Sequence, residues 1–438
     1  MKRNISIGLD IGTTTISAVV LHTENGRLLA RKTVKSEADL PSVHPLEKIQ
    51  NAALIEDKVR KLLEELLLEF PDVLSIGLTG QMHGIVYLDG HGKLLSPLYT
   101  WQDRQAEPYC GEIKKLTGCT VSPGYGLATV YAMKKENRIP GDTARICTIM
   151  DYLGFVLGGK LMIHGSNGAS LGFFSERGFD NAALEALGIP ASILPVVSSG
   201  CMVAGDFRGI PVAVSIGDNQ ASFLGSVAEP ERMALSNFGT GSQISVMTKE
   251  PLAADGSVEL RPLVDSAYLI CGSALCGGRA YALLERFFRS FTGGEQEQYS
   301  ALNALAEKGL QMENLPLVVP TFCGTRAEPN VRGSVCNLGE DNFDAAALTA
   351  GLLLGMAGEL KEMFAKMPGQ AVNTLVASGN GVRKNPALVQ ALERVFEMPV
   401  QIPAHQEEAA FGAALFAAAA AEGVPLAQVQ KRCIRYLA

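Results

Sequence analysis

Two turns in this chain carry residue types suited to holding phosphate. Asp10-Ile11-Gly12-Thr13-Thr14 closes one alternating apolar run, and Asn237-Phe238-Gly239-Thr240-Gly241 closes another. In such a turn Gly12 lets backbone approach a ligand, and successive N–H groups with Thr hydroxyls cradle oxyanions. Asp10, at a strand end, is placed to orient a hydrated Mg2+ on those oxyanions. The plainer alternative for either turn is a tight hairpin. Two of them facing each other can hold a polyphosphate.

Asp218 follows the apolar run Ile210 to Gly217 and precedes a predicted helix. A carboxylate at the carboxyl end of a central strand faces the crevice where α/β proteins bind ligands. It can take the proton from a hydroxyl attacking a phosphoryl group, or it can simply cap the helix. Thr374 to Ala377 leads into Ser378-Gly379-Asn380-Gly381, a Gly-rich turn that suits the flat approach of an adenine and ribose or serves as a plain βα connection. Asn385-Pro386 then reads as the start of a helix. Gly80-Gln81-Met82-His83-Gly84 and Thr100-Trp101-Gln102-Asp103-Arg104 set polar groups beside a large ring. A polyol needs that pairing: hydrogen bonds for its hydroxyls and an apolar face for its carbons.

The elements that must position these residues are legible in the periodicity. Ile5, Ile7, Leu9 and Ile11 alternate as a strand, Ile16, Ala18 and Val20 resume the alternation, and Asn25-Gly26 turns the chain again. Three antiparallel strands are predicted. Ile55, Val59, Leu62, Leu63, Leu66 and Leu67 fall at helical spacing, and Val73 to Thr79 follows as a strand. The Gly12 and Gly239 turns each open a half that ends in a strand, a turn and a small-residue helix. That internal echo predicts two related domains, residues 1–225 and 226–438, joined near Ala228-Glu229-Pro230-Glu231.

Composition sets the outer limits. The 438 residues are 47% hydrophobic and 19% charged, with net charge −7, which excludes disorder and argues against nucleic-acid or anionic-membrane partners. The 46 glycines are about one residue in ten, above the usual seven per cent. Nine scattered cysteines form no disulfide framework, so a cytoplasmic location is expected. Cys271 and Cys276, a C-x4-C pair without a companion pair, read as small buried thiols rather than zinc ligands. The longest apolar run, Ala409 to Ala421, is too short to span a bilayer. Neither a G-x-G-x-x-G fingerprint in the first βαβ unit nor a Walker-A sequence occurs, so any nucleotide is held by another architecture.

Taken in order, Leu9-Asp10-Ile11-Gly12-Thr13-Thr14, Gly80-Gln81-Met82-His83-Gly84, Thr100-Trp101-Gln102-Asp103, Gly217-Asp218-Asn219-Gln220, Asn237-Phe238-Gly239-Thr240-Gly241 and Ser378-Gly379-Asn380-Gly381 resemble the FGGY carbohydrate kinases. That family belongs to the actin–hexokinase superfamily. The resemblance implies two actin-like (ribonuclease H-like) α/β domains, each a mixed five-stranded sheet flanked by helices, with a cleft between them. Gln-Met-His-Gly resembles the family's ketose kinases, those for xylulose and sedoheptulose, more than its glycerol kinases. Trp-Gln-Asp leans toward sedoheptulose.

The resemblance also implies roles. Asp218 matches the catalytic base and Asp10 the carboxylate near Mg2+. Gly12, Thr13, Thr14, Gly239, Thr240 and Gly278 match phosphate contacts; Gly379, Asn380 and Asn385 match the adenosine segment. Gln81, Met82, His83, Trp101, Asp103, Asp218 and Asn219 match sugar-facing positions. Where ketose kinases carry Gly-Glu-Arg-x-Pro, this chain reads Gly324-Thr325-Arg326-Ala327-Glu328-Pro329, with Thr325 in place of the acid. The implied activity is ATP-dependent phosphorylation of a terminal ketose hydroxyl, with a small sugar as partner and helix faces that suit a homodimer. The rival classes are a sugar-independent ATPase switch of the same superfamily and a sugar-binding regulator without catalysis.

Overall fold

A computed structural model describes residues 3–251, 258–367 and 371–437. The first sheet begins with the three expected strands, β1 (Ile5–Ile11), β2 (Thr15–His22) and β3 (Leu28–Lys35), paired antiparallel. Helix α1 (Ala52–Glu69) follows, capped by Asn51, whose side chain accepts from Leu54 N. It buries Ile55, Val59, Leu62, Leu63 and Leu66, the face that the helical spacing marked. Strand β4 (Val73–Gly80) then runs parallel to β1.

Helices α2 (Ile149–Gly158) and α3 (Gly165–Leu171) precede a hairpin of β5 (Val203–Phe207) and β6 (Ile210–Ala213). The run Ile210 to Gly217, expected as one strand, is interrupted at Val214 and Ser215 and resumes as β7 (Ile216–Gly217). Both pieces pair with β4, and the chain then enters α4 (Asp218–Ser226). The sheet order is β5-β6-β4-β1-β2-β3, with β7 also on β4.

The second sheet repeats the plan. Strands β8 (Met233–Phe238) and β9 (Ser242–Thr248) form a hairpin, β10 (Val258–Pro262) and β11 (Tyr268–Ala274) extend it, and α5 (Gly278–Thr292) and α6 (Ala345–Ala365) follow. Strand β12 (Thr374–Ser378) returns parallel to β8, with α7 (Pro386–Phe396) and β13 (Val400–Gln401) after it. The order is β10-β11-β9-β8-β12-β13. In each half the opening strand sits between an antiparallel second strand and a parallel later one, so the echo of the two turns is an echo of topology. Both sheets exceed the expected five strands. The Val203–Phe207 hairpin strand and short β7 enlarge the first, and six strands make up the second.

The chain divides into two compact units, with the main crossing between Ala228 and Glu229 and two later segments returning to the first unit. The first holds Met1–Ala228, Pro262–Ala267 and His405–Ile434; the second holds Glu229–Arg261, Tyr268–Ala404 and Arg435–Ala438. The Ala-rich helix α8 (Glu408–Glu422) therefore belongs with the first sheet, although it ends the second half of the sequence. Small residues explain how it fits there. A Cβ on Gly8 of β1 would stand 1.9 Å from Ala410 O, and one on Gly77 of β4 would stand 2.0 Å from Ala413 O. Among the described residues no helix is long and apolar enough to cross a membrane.

Candidate active site

In the first unit the parallel register gathers the chemistry at one sheet edge. Asp10 of β1 lies beside Thr79 of β4, and Ile11 beside Gly80. Thr79 in turn lies beside Ile216, and Gly80 beside Gly217. Asp10, the segment Gln81-Met82-His83 and Asp218 thus stand at the carboxyl ends of three adjacent parallel strands, the edge where ligands of α/β proteins bind.

Asp218 is the first residue of α4, and the capping position belongs to Gly217. Gly217 has no side chain to cap with, and its N–H donates to Ser166 Oγ at 3.0 Å. Helix capping therefore does not explain the carboxylate. Met82 packs its thioether on this turn: a Cβ at Gly217 would meet Met82 Cε at 2.5 Å. Asn219 is half-buried, and Gln220 is buried with Nε2 donating to Pro262 O at 3.0 Å.

Asp10 is half-buried, and its carboxyl is pushed up to about 7, first by burial, then by the charges of Asp218 and Glu407. Three carboxylates thus share one field, an arrangement that calls for a counter-cation. Glu407 was not among the expected site residues. It precedes α8 in a left-handed conformation (φ 64°), with Arg31 Nη1 4.0 Å from its Oε1. Its only sequence signal was an acid just ahead of the Ala-rich helix. Among the described residues no group of three or more His, Cys, Asp or Glu can hold a metal by itself. The donor set fits Mg2+, which keeps several waters and takes one or two carboxylates with phosphate oxygens.

The Gly12 turn is wired to the two segments expected to face a sugar. Thr13 Oγ1 accepts from Trp101 Nε1 at 3.1 Å and donates to Gln81 Oε1 at 3.4 Å. Buried Gln50, also unexpected, donates to Thr13 O at 2.9 Å and accepts from Gln81 Nε2 at 2.9 Å. Thr14 is exposed, and its carbonyl accepts from Ser36 N. The Trp101 ring, 47% exposed, lines a cavity of about 700 Å3 with Pro45, Lys48, Gln102 and Pro123.

Two of the expected sugar-facing residues have other partners in the fold. Asp103 is fully buried, and its carboxylate accepts from Lys48 N, Gln105 N and Gln105 Nε2 at 3.0–3.1 Å. It fixes the loop behind Trp101. His83 adopts φ 72°, its Nδ1 lies 2.8 Å from Ser170 O, and its ring stacks on Tyr125 at 4.8 Å. That strained backbone directs the turn after Met82.

The second unit gathers the remaining glycines. Gly278 N donates to Gly239 O at 2.9 Å, and Arg279 N donates to Thr240 O at 3.0 Å, so the start of α5 is locked to the second turn. Gly239, Thr240 and Asn380 are exposed. Gly379 adopts φ 93°, and a Cβ there would meet Phe238 O at 2.5 Å. In the first unit a Cβ on Gly80 would meet Ile11 O at 2.3 Å. A glycine at the carboxyl end of the parallel strand thus sits under the equivalent carbonyl in both halves, with Asn237 where the first half has Asp10. Asn385 precedes α7 with no side-chain capping bond, and its buried Oδ1 has no partner among the described residues. In the Gly324–Pro329 stretch Thr325 Oγ1 accepts from Glu328 N at 2.9 Å, closing the turn on itself.

Comparison with known proteins agrees with this architecture. Residues 5–225 match the N-terminal domain model of the FGGY family of carbohydrate kinases, and residues 234–421 match the C-terminal one. Sedoheptulokinase of Mus musculus is 25% identical over 94% of this chain and 97% of its own length. A glycerol kinase of a Geobacillus species is 28% identical over 95% and 90%. Among solved structures, xylulose kinase from Rhodospirillum rubrum superposes with a TM-score of 0.86 at 23% identity, covering 99% of this chain and 93% of that one. The chain belongs to the FGGY family of carbohydrate kinases.

Proposed function

We propose that the protein transfers the γ-phosphoryl group of ATP to a terminal hydroxyl of a ketose, with sedoheptulose the preferred acceptor and sedoheptulose 7-phosphate the product. The observation that carries this reading is the register placing Asp10, Gln81-Met82-His83 and Asp218 at one edge. Gln-Met-His-Gly favours a ketose over glycerol, and Trp-Gln-Asp, with the likeness to a sedoheptulokinase along nearly the whole chain, favours sedoheptulose over xylulose.

Asp218 accepts the proton of the attacking hydroxyl. Gln81, Met82 and Trp101 seat the sugar, Met82 partly through its backbone and Trp101 through its ring, while Asp103 and His83 hold the two loops in shape. Thr13 in the first unit offers its hydroxyl to a phosphate oxygen, and in the second unit Thr240 offers its hydroxyl and N–H. Asn385 Oδ1, buried without a partner among the described residues, is an acceptor that a donor on the nucleotide would satisfy. Asp10, with Asp218 and Glu407 near, would hold Mg2+ through its waters; when bound, the cation neutralises charge on the phosphates.

A coupled assay of ADP release tests the reading across sedoheptulose, D-xylulose, D-ribulose, L-ribulose, L-rhamnulose, L-fuculose and glycerol. Sedoheptulose should give the highest kcat/KM. A larger value for D-xylulose moves the substrate within the ketoses, and ADP release that no sugar stimulates contradicts the kinase reading.

A further inference from the structure

Sequence spacing sets Cys276 beside Cys271, but the fold sets it beside Cys323, the two Sγ atoms 3.6 Å apart. The pair is asymmetric. Cys276 is 2% exposed, whereas Cys323 is only half-buried and has Arg279 Nη1 3.5 Å from its sulfur. The Arg279 contact holds the Cys323 thiol below its usual range, while burial, and then Cys323 itself, pushes Cys276 up to about 12. An accessible thiol that ionises readily beside a buried one is the arrangement of an attacking and a resolving cysteine.

The pair is also placed to matter. Cys276 directly precedes Gly277 and Gly278, and the amides of Gly278 and Arg279 are bonded to Gly239 and Thr240. Cys323 starts the Gly324–Pro329 turn. We propose that Cys276 and Cys323 form a thiol–disulfide modification site, oxidised by low-molecular-weight disulfides, whose closure weakens nucleotide binding at the Gly239-Thr240 turn. The Cys323 thiolate attacks the oxidant's S–S bond and expels one small thiolate. Cys276, losing its proton, attacks the mixed disulfide at Cys323 and expels the second. The two protein thiols are oxidised, the small disulfide is reduced to two thiols, and two electrons pass between them. Closure draws the sulfurs from 3.6 Å to about 2.05 Å, pulling residue 276 away from the amides that hold the turn.

The bridge itself does not depend on the kinase reading; only its effect on nucleotide does. The test incubates the full-length reduced protein with oxidised glutathione, blocks free thiols, maps the linked peptides and measures ADP affinity by calorimetry. A Cys276–Cys323 linkage with ADP binding at least about fivefold weaker, both reversed by dithiothreitol, is expected. Cys323→Ser should abolish linkage and shift, and Cys276→Ala serves equally if that variant melts early; Cys336→Ser should retain both. Glutathione adducts alone, or linkage through other cysteines, would overturn the site. A mapped bridge with unchanged ADP affinity overturns the coupling. If ADP binds neither form, the nucleotide reading falls while the mapped linkage still decides the bridge.

Discussion

The indole Nε1 of Trp101 donates to Thr13 Oγ1 over 3.1 Å, and that hydroxyl donates onward to Gln81 Oε1. One threonine therefore joins a ring that lines a cavity to the turn that follows Asp10. On the proposed reading a sugar seated against Trp101 and Gln81 would press on the hydroxyl of Thr13, coupling recognition to the geometry of the Gly12 turn.

A double-mutant cycle measures that coupling. Trp101→Phe and Thr13→Val should each raise the ketose KM. The pair should fall short of additivity by about 0.5–1.5 kcal/mol, the net worth of a hydrogen bond. Additive effects in steady-state kinetics would show that the bond carries no recognition.

The glycines under the strand-end carbonyls give a second prediction. Gly379→Ala puts a Cβ 2.5 Å from Phe238 O at φ 93°, and Gly80→Ala puts one 2.3 Å from Ile11 O. Each should destabilise the fold by about 1–3 kcal/mol. Gly379→Ala should mainly raise the nucleotide KM and Gly80→Ala the sugar KM. Denaturant titration and kinetics with each substrate varied check both; wild-type stability in either variant contradicts the close approach.

The Asp10 carboxyl predicts a pH dependence. Its pKa of about 7 when folded lies above the unfolded value near 3.9, so the folded state binds the proton more tightly. This destabilising contribution is absent below about pH 4 and grows as pH rises through about 7. Asp10→Asn should therefore melt above wild type at pH 8, by an amount that fades toward pH 4, while losing kinase activity. Glu407→Gln should narrow the difference by removing part of the field. Equal melting temperatures at pH 8 would contradict the shared field of Asp10, Asp218 and Glu407.

Local residues foretold local structure well. The alternation from Ile5 to Val20, the helix face of Ile55 to Leu66 and the two Gly-Thr turns are signals within a few residues, and the fold uses each as read. What escaped the sequence depends on partners far along the chain. Glu407 meets Asp10 only because α8 returns to the first sheet, and that return depends on the bare backbone at Gly8 and Gly77. Asp103 reads as a polar group beside Trp101, yet Lys48 and Gln105 claim both of its oxygens. Cys276 finds Cys323 across a gap that no spacing rule spans. The glycine surplus has two causes as well, since part of it lies in the strand-end turns and part lets a helix lie on a sheet.

On the proposed reading Asp218 takes the proton of a ketose hydroxyl as that hydroxyl attacks ATP, and sugar-stimulated ADP release by Asp218→Asn is the decisive measurement. With sedoheptulose and ATP saturating, the variant should lose on the order of 10²–10⁴-fold in kcat, while calorimetry returns an unchanged ADP affinity. A kcat within a few-fold of wild type would contradict the account.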